Sequence, residues 1–268
     1  MIAARVMDGS RPVYNRVPKV TVDFWLIKLM AVTMGETAAD YLNVQLGLGL
    51  SLTSVLMTVV LIAALVWQFS QKRYAPAPYW LAVVLISVVG TLITDNLVDN
   101  LHVPLQVTAA AFALLLAITF IAWHAMERTL SIHSIFTTRR EAFYWLAILF
   151  TFALGTAAGD LVAEQFALGY LATGILFGMI IASLTIGYFF LGLDSILGFW
   201  LVYILTRPLG ASFGDLLSQP PQYGGVGLGT IITSFVFLGV IIAIVIYMTI
   251  MRRGGEEVSA ADRALGVS

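Results

Sequence analysis

Asp40, Asp95, Asp160 and Asp215 each stand fifteen residues after a tryptophan (Trp25, Trp80, Trp145 and Trp200), with a glycine ten residues past that tryptophan at Gly35, Gly90, Gly155 and Gly210. The four copies read WLIKLMAVTMGETAAD, WLAVVLISVVGTLITD, WLAILFTFALGTAAGD and WLVYILTRPLGASFGD. A carboxylate at the centre of a membrane helix costs about 2.5–3.5 kcal/mol on insertion scales, and less near the helix ends. Four at one register make a set of hard oxygen donors, the chemistry preferred by Mg²⁺, Ca²⁺ and Mn²⁺. These aspartates and Glu36 are therefore the candidate metal ligands, with a bound divalent cation as the only cofactor the pattern implies.

Residues four apart share a helix face, so each aspartate extends into a ladder. The ladders are Val32, Glu36, Asp40, Val44; Ser87, Thr91, Asp95, Asp99; Phe152, Thr156, Asp160, Glu164; and Arg207, Ala211, Asp215, Gln219. Thr91 and Thr156 are candidate path-lining groups beneath the aspartates, and Asp99 and Glu164 lie beyond them. Arg207 breaks the repeat where the other copies hold Val32, Ser87 and Phe152. Charges inside a membrane seek partners, so an ion pair between Arg207 and Glu36, or one of the aspartates, is expected, with Arg207 as internal counter-charge. Pro208 follows and removes a helical donor, which predicts a kink. Lys28, three residues past Trp25, is expected to snorkel to the interface. The glycines read most simply as helix packing sites. The aspartates have an alternative role too, capping helix ends or starting tight turns.

The elements that must position these groups follow from composition. The chain has 268 residues, 60% hydrophobic and 11% charged, with a mean hydropathy of +0.94. That is far below the roughly 25% charge of soluble domains. Because roughly 20 apolar residues cross a bilayer as a helix, eight spans are expected at about 24–43, 48–70, 79–98, 104–124, 143–163, 170–192, 197–217 and 228–250. The fold class is an all-α integral membrane protein of eight transmembrane helices, built from four parallel two-helix repeats grouped as two halves. Its parts are a cytoplasmic N-terminal segment (1–20), membrane half one (21–127), a basic linker (128–141), membrane half two (142–251) and a cytoplasmic tail (252–268). Trp25 to Trp80 and Trp145 to Trp200 both span 55 residues.

Apart from Lys28 and Arg207, every basic residue falls on one side: Arg5, Arg11, Arg16 and Lys19, then Lys72 and Arg73, then Arg128, Arg139 and Arg140, then Arg252, Arg253 and Arg263. The positive-inside rule makes that side cytoplasmic, with both termini there. All six tryptophans fall at span ends on the same side, where interfacial rings are expected. No apolar core precedes a small-residue cleavage site in the first 19 residues, so a retained N-terminus is expected. The first helix of each repeat is the more polar, which predicts an inner ring of four motif helices and an outer set facing lipid.

The sequence has no cysteine. His102, His124 and His133 lie outside the motif helices, which argues against a histidine zinc site. Nucleotide-binding, serine-hydrolase and zinc-protease motifs are absent, and no enzyme activity is expected. Expected partners are the lipid bilayer and an inorganic cation, with no nucleic acid; a homodimer fits the pattern as well as a monomer does. The leading function is a cation transporter or channel of the Mn/Mg/Ca class, its path lined by the four motif helices. The alternative is a non-transporting scaffold or sensor whose basic cytoplasmic face binds a partner.

The stretches RTLSIHSIFTTRREAFYW and GTAAGD, with KVTVDFWLIKLMAVTMGETAAD near the start, resemble a group of uncharacterised bacterial multi-pass membrane-anchored proteins. The resemblance implies an inner-membrane location and carries no functional residues with it.

Overall fold

A computed structural model describes residues 14–264, with side chains described except at 44–45 and 251–264. Arg5 and Arg11, the side chains of Val44, Arg252, Arg253 and Arg263, and the end of the tail therefore lie outside the described residues. The described residues form eight α-helices: α1 (Val22–Asp40), α2 (Leu50–Phe69), α3 (Pro76–Asp95), α4 (Leu105–Glu127), α5 (Thr138–Asp160), α6 (Tyr170–Phe190), α7 (Ser195–Ser218) and α8 (Thr230–Ala264). Local chemistry sets their starts. Thr21 and Thr137 accept from the amides of Phe24 and Arg140, Asp194 accepts from those of Ile196 and Leu197, and Pro76 occupies the first turn of α3, where side-chain acceptors and a missing N–H both suit the free helix end. Arg128 closes α4 in a left-handed conformation at φ 58°.

Four helices form the inner ring. α1 packs on α3, α3 on α5, α5 on α7 and α7 on α1. The outer helices show a shift that the repeat itself does not announce: α2 lies chiefly against α3, α4 against α5, α6 against α7 and α8 against α1. Each outer helix thus covers the inner helix of the following repeat, and α8 closes the circle. In the most apolar stretches of the outer helices 17–22% of residues are buried, against 50–67% for α3, α5 and α7. The apolar outer faces therefore remain uncovered by protein, as their uniform Leu, Ile, Val and Phe composition anticipates.

Seven helices are long and apolar enough to cross a membrane; among the described residues α1 is not counted with them. It carries Asp23, Lys28, Glu36 and Asp40 within nineteen residues, and the last three recur at the four-residue spacing of one face.

The motif glycines form the ring's contacts. A Cβ on Gly35 would fall within 3.0 Å of Ser87, on Gly90 of Phe152, on Gly155 of Arg207 and on Gly210 of Val32. Each glycine receives the side chain that stands three residues before the glycine of the next copy. The expected packing role is thereby met in all four, and the ring closes in cyclic order.

Two expectations about the tryptophan end need correction. Trp80, Trp123, Trp145 and Trp200 are buried, and only Trp67 is largely exposed. Instead of forming an interfacial belt, these rings join Phe24, Tyr79, Tyr144, Phe199 and Tyr203 in a continuous aromatic cluster. Aromatic edges and faces attract each other beyond simple burial, and the converging ends of four helices give them partners. Lys28 likewise does not snorkel: it is fully buried.

Candidate functional site

The four-residue ladders become layers across the ring axis. Starting from the tryptophan end, the first layer is Phe24, Tyr79, Tyr144 and Phe199, followed by Lys28, Val83, Ile148 and Tyr203. Above these come Val32, Ser87, Phe152 and Arg207, then Glu36, Thr91, Thr156 and Ala211, and finally the aspartates. Every residue of the second and third layers is at most 1% exposed. Exposure returns at the top, where Asp40, Asp95 and Asp160 are partly open and Asp215 is 8% exposed. The axis is a shallow acidic mouth over a filled core.

Arg207 forms the floor of that mouth. Its Nη2 donates to Glu36 Oε2 at 2.6 Å and to Thr156 Oγ1 at 2.7 Å, and also to Thr91 Oγ1. Thr91 Oγ1 in turn donates to the same Glu36 oxygen at 3.1 Å. One nitrogen therefore ties α7 to α1, α3 and α5. The repeat explains how: three copies supply Glu36, Thr91 and Thr156 at one level, and the fourth supplies the small Ala211, leaving room for the guanidinium rising from one turn below. Gly155 makes the matching space on α5, since a methyl there would collide with the Arg207 stem. The expected ion pair with Glu36 is thus found, with both side chains largely removed from solvent. Nε and Nη1 of Arg207 have no partner among the described residues.

The aspartates meet the expectation only in part. All four stand one turn above the layer whose side chains meet at Arg207, which places them around one mouth. Among the described residues, however, no group of three or more His, Asp or Glu side chains could hold a metal ion. A single chelating ring of Asp40, Asp95, Asp160, Asp215 and Glu36 is therefore not formed. Asp40 Oδ2 accepts from Gln219 Nε2 at 3.5 Å.

None of the four aspartates ends its helix as a side-chain cap. The backbone continues past Asp40, Asp95 and Asp160 into π-helical turns at Tyr41–Gln45, Asn96–Asn100 and Leu161–Gln165. Such turns cluster at functional sites. Asp215 differs, continuing in regular α-helix to Ser218. Asp99 and Glu164 fall within the π turns; Glu164 accepts from Tyr170 at 3.4 Å and, with His102 and Gln165, lines an open groove of about 520 Å³ beside the mouth.

The matched segments settle what kind of protein this is. A repeat family matches residues 24–74, 78–129, 143–192 and 198–253, in the same register as the four tryptophans. The chain belongs to the family Repeat of Unknown Function (DUF347). No curated protein and no solved structure matches it significantly. The four DUF347 units are the four helix pairs, and the site at the axis takes one layer residue from each.

Some DUF347-repeat residues escaped sequence reasoning. Thr53, Thr108, Thr173 and Thr233 stand at the fourth position of the four outer helices, and all are at most 2% exposed. Their recurrence at one position of the second helix is the sequence signal that marks them. Glu141 is fully buried and accepts from Arg16 Nη1 at 2.7 Å, Gln68 Nε2 at 2.9 Å and Trp145 Nε1 at 3.4 Å. It fixes the segment before α1 against α2 and α5. Asn15 strengthens that clasp through Ile132 and Ile135.

Proposed function

We propose that this chain is a multi-pass protein of the bacterial inner membrane, with eight crossings and both termini cytoplasmic, that carries inorganic cations of the Mg²⁺, Mn²⁺ and Ca²⁺ class along the axis of its inner ring. The observation that carries the reading is the acidic mouth of four repeat-related aspartates closed from beneath by the Arg207–Glu36 pair. Carboxylates spaced around an axis suit a cation that keeps much of its water, as Mg²⁺ does in most of its sites. An arriving cation competes with the Arg207 guanidinium for Glu36, so the counter-charge serves as both seal and trigger. α1 crosses with its charged face turned to the axis and its remaining surface shielded by α3, α7 and α8. Lipid covers the outer helices. Neither catalysis nor nucleic acid has a place in this reading, and a homodimer would leave the path within each monomer intact.

The scaffold alternative loses support at its own surface. Arg139 and Arg140 both pair with Glu127, and Arg16 pairs with Glu141, so three residues of the basic face already have acidic partners within the chain.

Proteoliposomes loaded with Mn²⁺, Mg²⁺ or Ca²⁺ indicators test the proposal. Wild type is expected to move at least one of these ions. The variant with Asp40, Asp95, Asp160 and Asp215 all changed to Asn is expected to remain folded and move none; equal signals from the two proteins would remove the proposal.

A further inference from the structure

Two cations lie on the axis below the aspartates, and only one has a carboxylate. Glu36 is taken by Arg207. Lys28, one layer further from the mouth, is fully buried, and among the described residues no acid pairs with it. Its Nζ donates to the backbone oxygen of Tyr203 at 2.9 Å and to Thr206 Oγ1. It also sits over the Tyr203 ring, 3.9 Å from the centroid, and 5.5 Å from that of Phe152.

This surrounding fits both protonation states of the amine. An ammonium has three N–H donors; here two acceptors and an aromatic face receive them, and the face attracts a cation. A neutral amine keeps two N–H donors, and two acceptors are present. A guanidinium has no such freedom, because it stays charged under all ordinary conditions. The groups facing Lys28 are Arg207 and Tyr203 from α7 and Phe152 from α5, with Ser87 of α3 in the layer above and Glu36 two turns along its own helix. The described side chains of α8 include no charge. Beyond Lys28 the hydroxyl of Tyr203 is buried without a partner among the described residues, and Tyr79 and Tyr144 share a hydroxyl hydrogen bond of 2.5 Å.

We infer that Lys28 is a proton-exchange site that couples cation movement on the axis to proton movement in the opposite direction. The inference rests on the transport reading above. When a cation reaches Glu36, its positive charge is added to those of Arg207 and Lys28 on the axis below the aspartates, where Glu36 is the one carboxylate among the described residues. One Nζ–H bond then breaks, its electron pair stays on nitrogen as a neutral amine, and the proton is taken up by water at the tryptophan end. Rebinding of a proton restores the ammonium after the cation has gone. One proton is exchanged for each cation at this site.

The test uses full-length protein in proteoliposomes with a pH-sensitive dye and a cation indicator read together, under imposed gradients of Mn²⁺, Mg²⁺ and Ca²⁺. Wild type is expected to move protons against the cation. Lys28→Met is expected to retain isotope counterflow of the cation while losing the proton signal at least tenfold. Lys28→Arg, which keeps the charge and cannot release the proton, is expected to do the same and serves if the Met variant does not fold. Cation movement without protons in wild type, or an undiminished proton signal in the variants, overturns the role of Lys28 and leaves the transport reading standing. A wild type that moves no cation overturns the transport reading itself.

Discussion

Arg207 Nη2 and Glu36 Oε2 meet at 2.6 Å across 171 residues of sequence, in a layer where the equivalent positions on the other two helices are threonines hydrogen-bonded to the same nitrogen. Three of the four inner helices thus lend an oxygen to a side chain of the fourth. The relation depends on the copies being unequal: with a larger residue at Ala211, or any side chain at Gly155, the guanidinium could not occupy the centre.

Removing one partner of a buried ion pair leaves the other charge stranded, at about 3–5 kcal/mol in soluble proteins. Glu36→Gln and Arg207→Met are each expected to lower the unfolding midpoint in detergent markedly. The double variant Glu36→Leu/Arg207→Met is expected to recover much of the loss, since no charge remains unpaired. A double variant as unstable as the sum of the singles would mean that the pair's worth lies elsewhere.

The glycine contacts differ from ordinary helix glycines in what a methyl group would strike. Gly35→Ala and Gly155→Ala are expected to cost about 1–3 kcal/mol by overpacking. Gly239→Ala on the exposed side of α8, where a Cβ meets nothing within 4 Å, is expected to be neutral or stabilising by up to about 1 kcal/mol. Thermal unfolding of the three variants side by side measures the contrast.

Glu141 has three donors and no exposure, so Glu141→Leu strands Arg16 and Gln68 as well as removing the acid. Loss of a buried hydrogen-bond partner costs roughly 1–3 kcal/mol. The segment before α1 is expected to come free, and trypsin to cut after Arg16 or Lys19 much faster than in wild type. Unchanged cleavage would show that Asn15 and its contacts with Ile132 and Ile135 suffice to hold the segment.

The absence of cysteine makes topology directly testable. Single cysteines at Lys19, Gly47, Gln71 and Tyr223, the last an exposed residue of the loop before α8, are expected to react with a membrane-impermeant maleimide from the inside, outside, inside and outside respectively. The pair at Lys19 and Gly47 is the informative one, because it brackets α1, the helix whose charges keep it out of the apolar set. Labelling of both from one side would reduce the crossings to seven.

Much of the axis was legible in advance. Helical geometry fixes which residues share a face, so the four-residue ladders could be written from sequence and reappeared as layers. The same geometry made Glu36 the natural partner of Arg207, one layer above it. The glycines were legible as packing sites for a similar reason: a position with no side chain at mid-helix has little other use.

What sequence could not decide was which surface each face would meet. Lys28 lies close to a helix end and could equally have reached the interface; burial came from the arrival of Tyr203 and Thr206, more than 170 residues away. The tryptophans occupy the positions expected of interfacial anchors, yet four helices converge there and rings pack on rings. Arg139 and Arg140 looked free until the fold brought them to Glu127. The described acidic side chains do not gather into a group that could hold a metal ion, since equal register gives carboxylates one depth but says nothing of their separation across the axis. The sequence, through periodicity and composition, determined helices, repeats and the order of residues along each face. Only the tertiary structure decided that each outer helix covers the next repeat, that the ring closes, and that one guanidinium fills its centre, because those depend on side chains fitting through space between segments far apart in the chain.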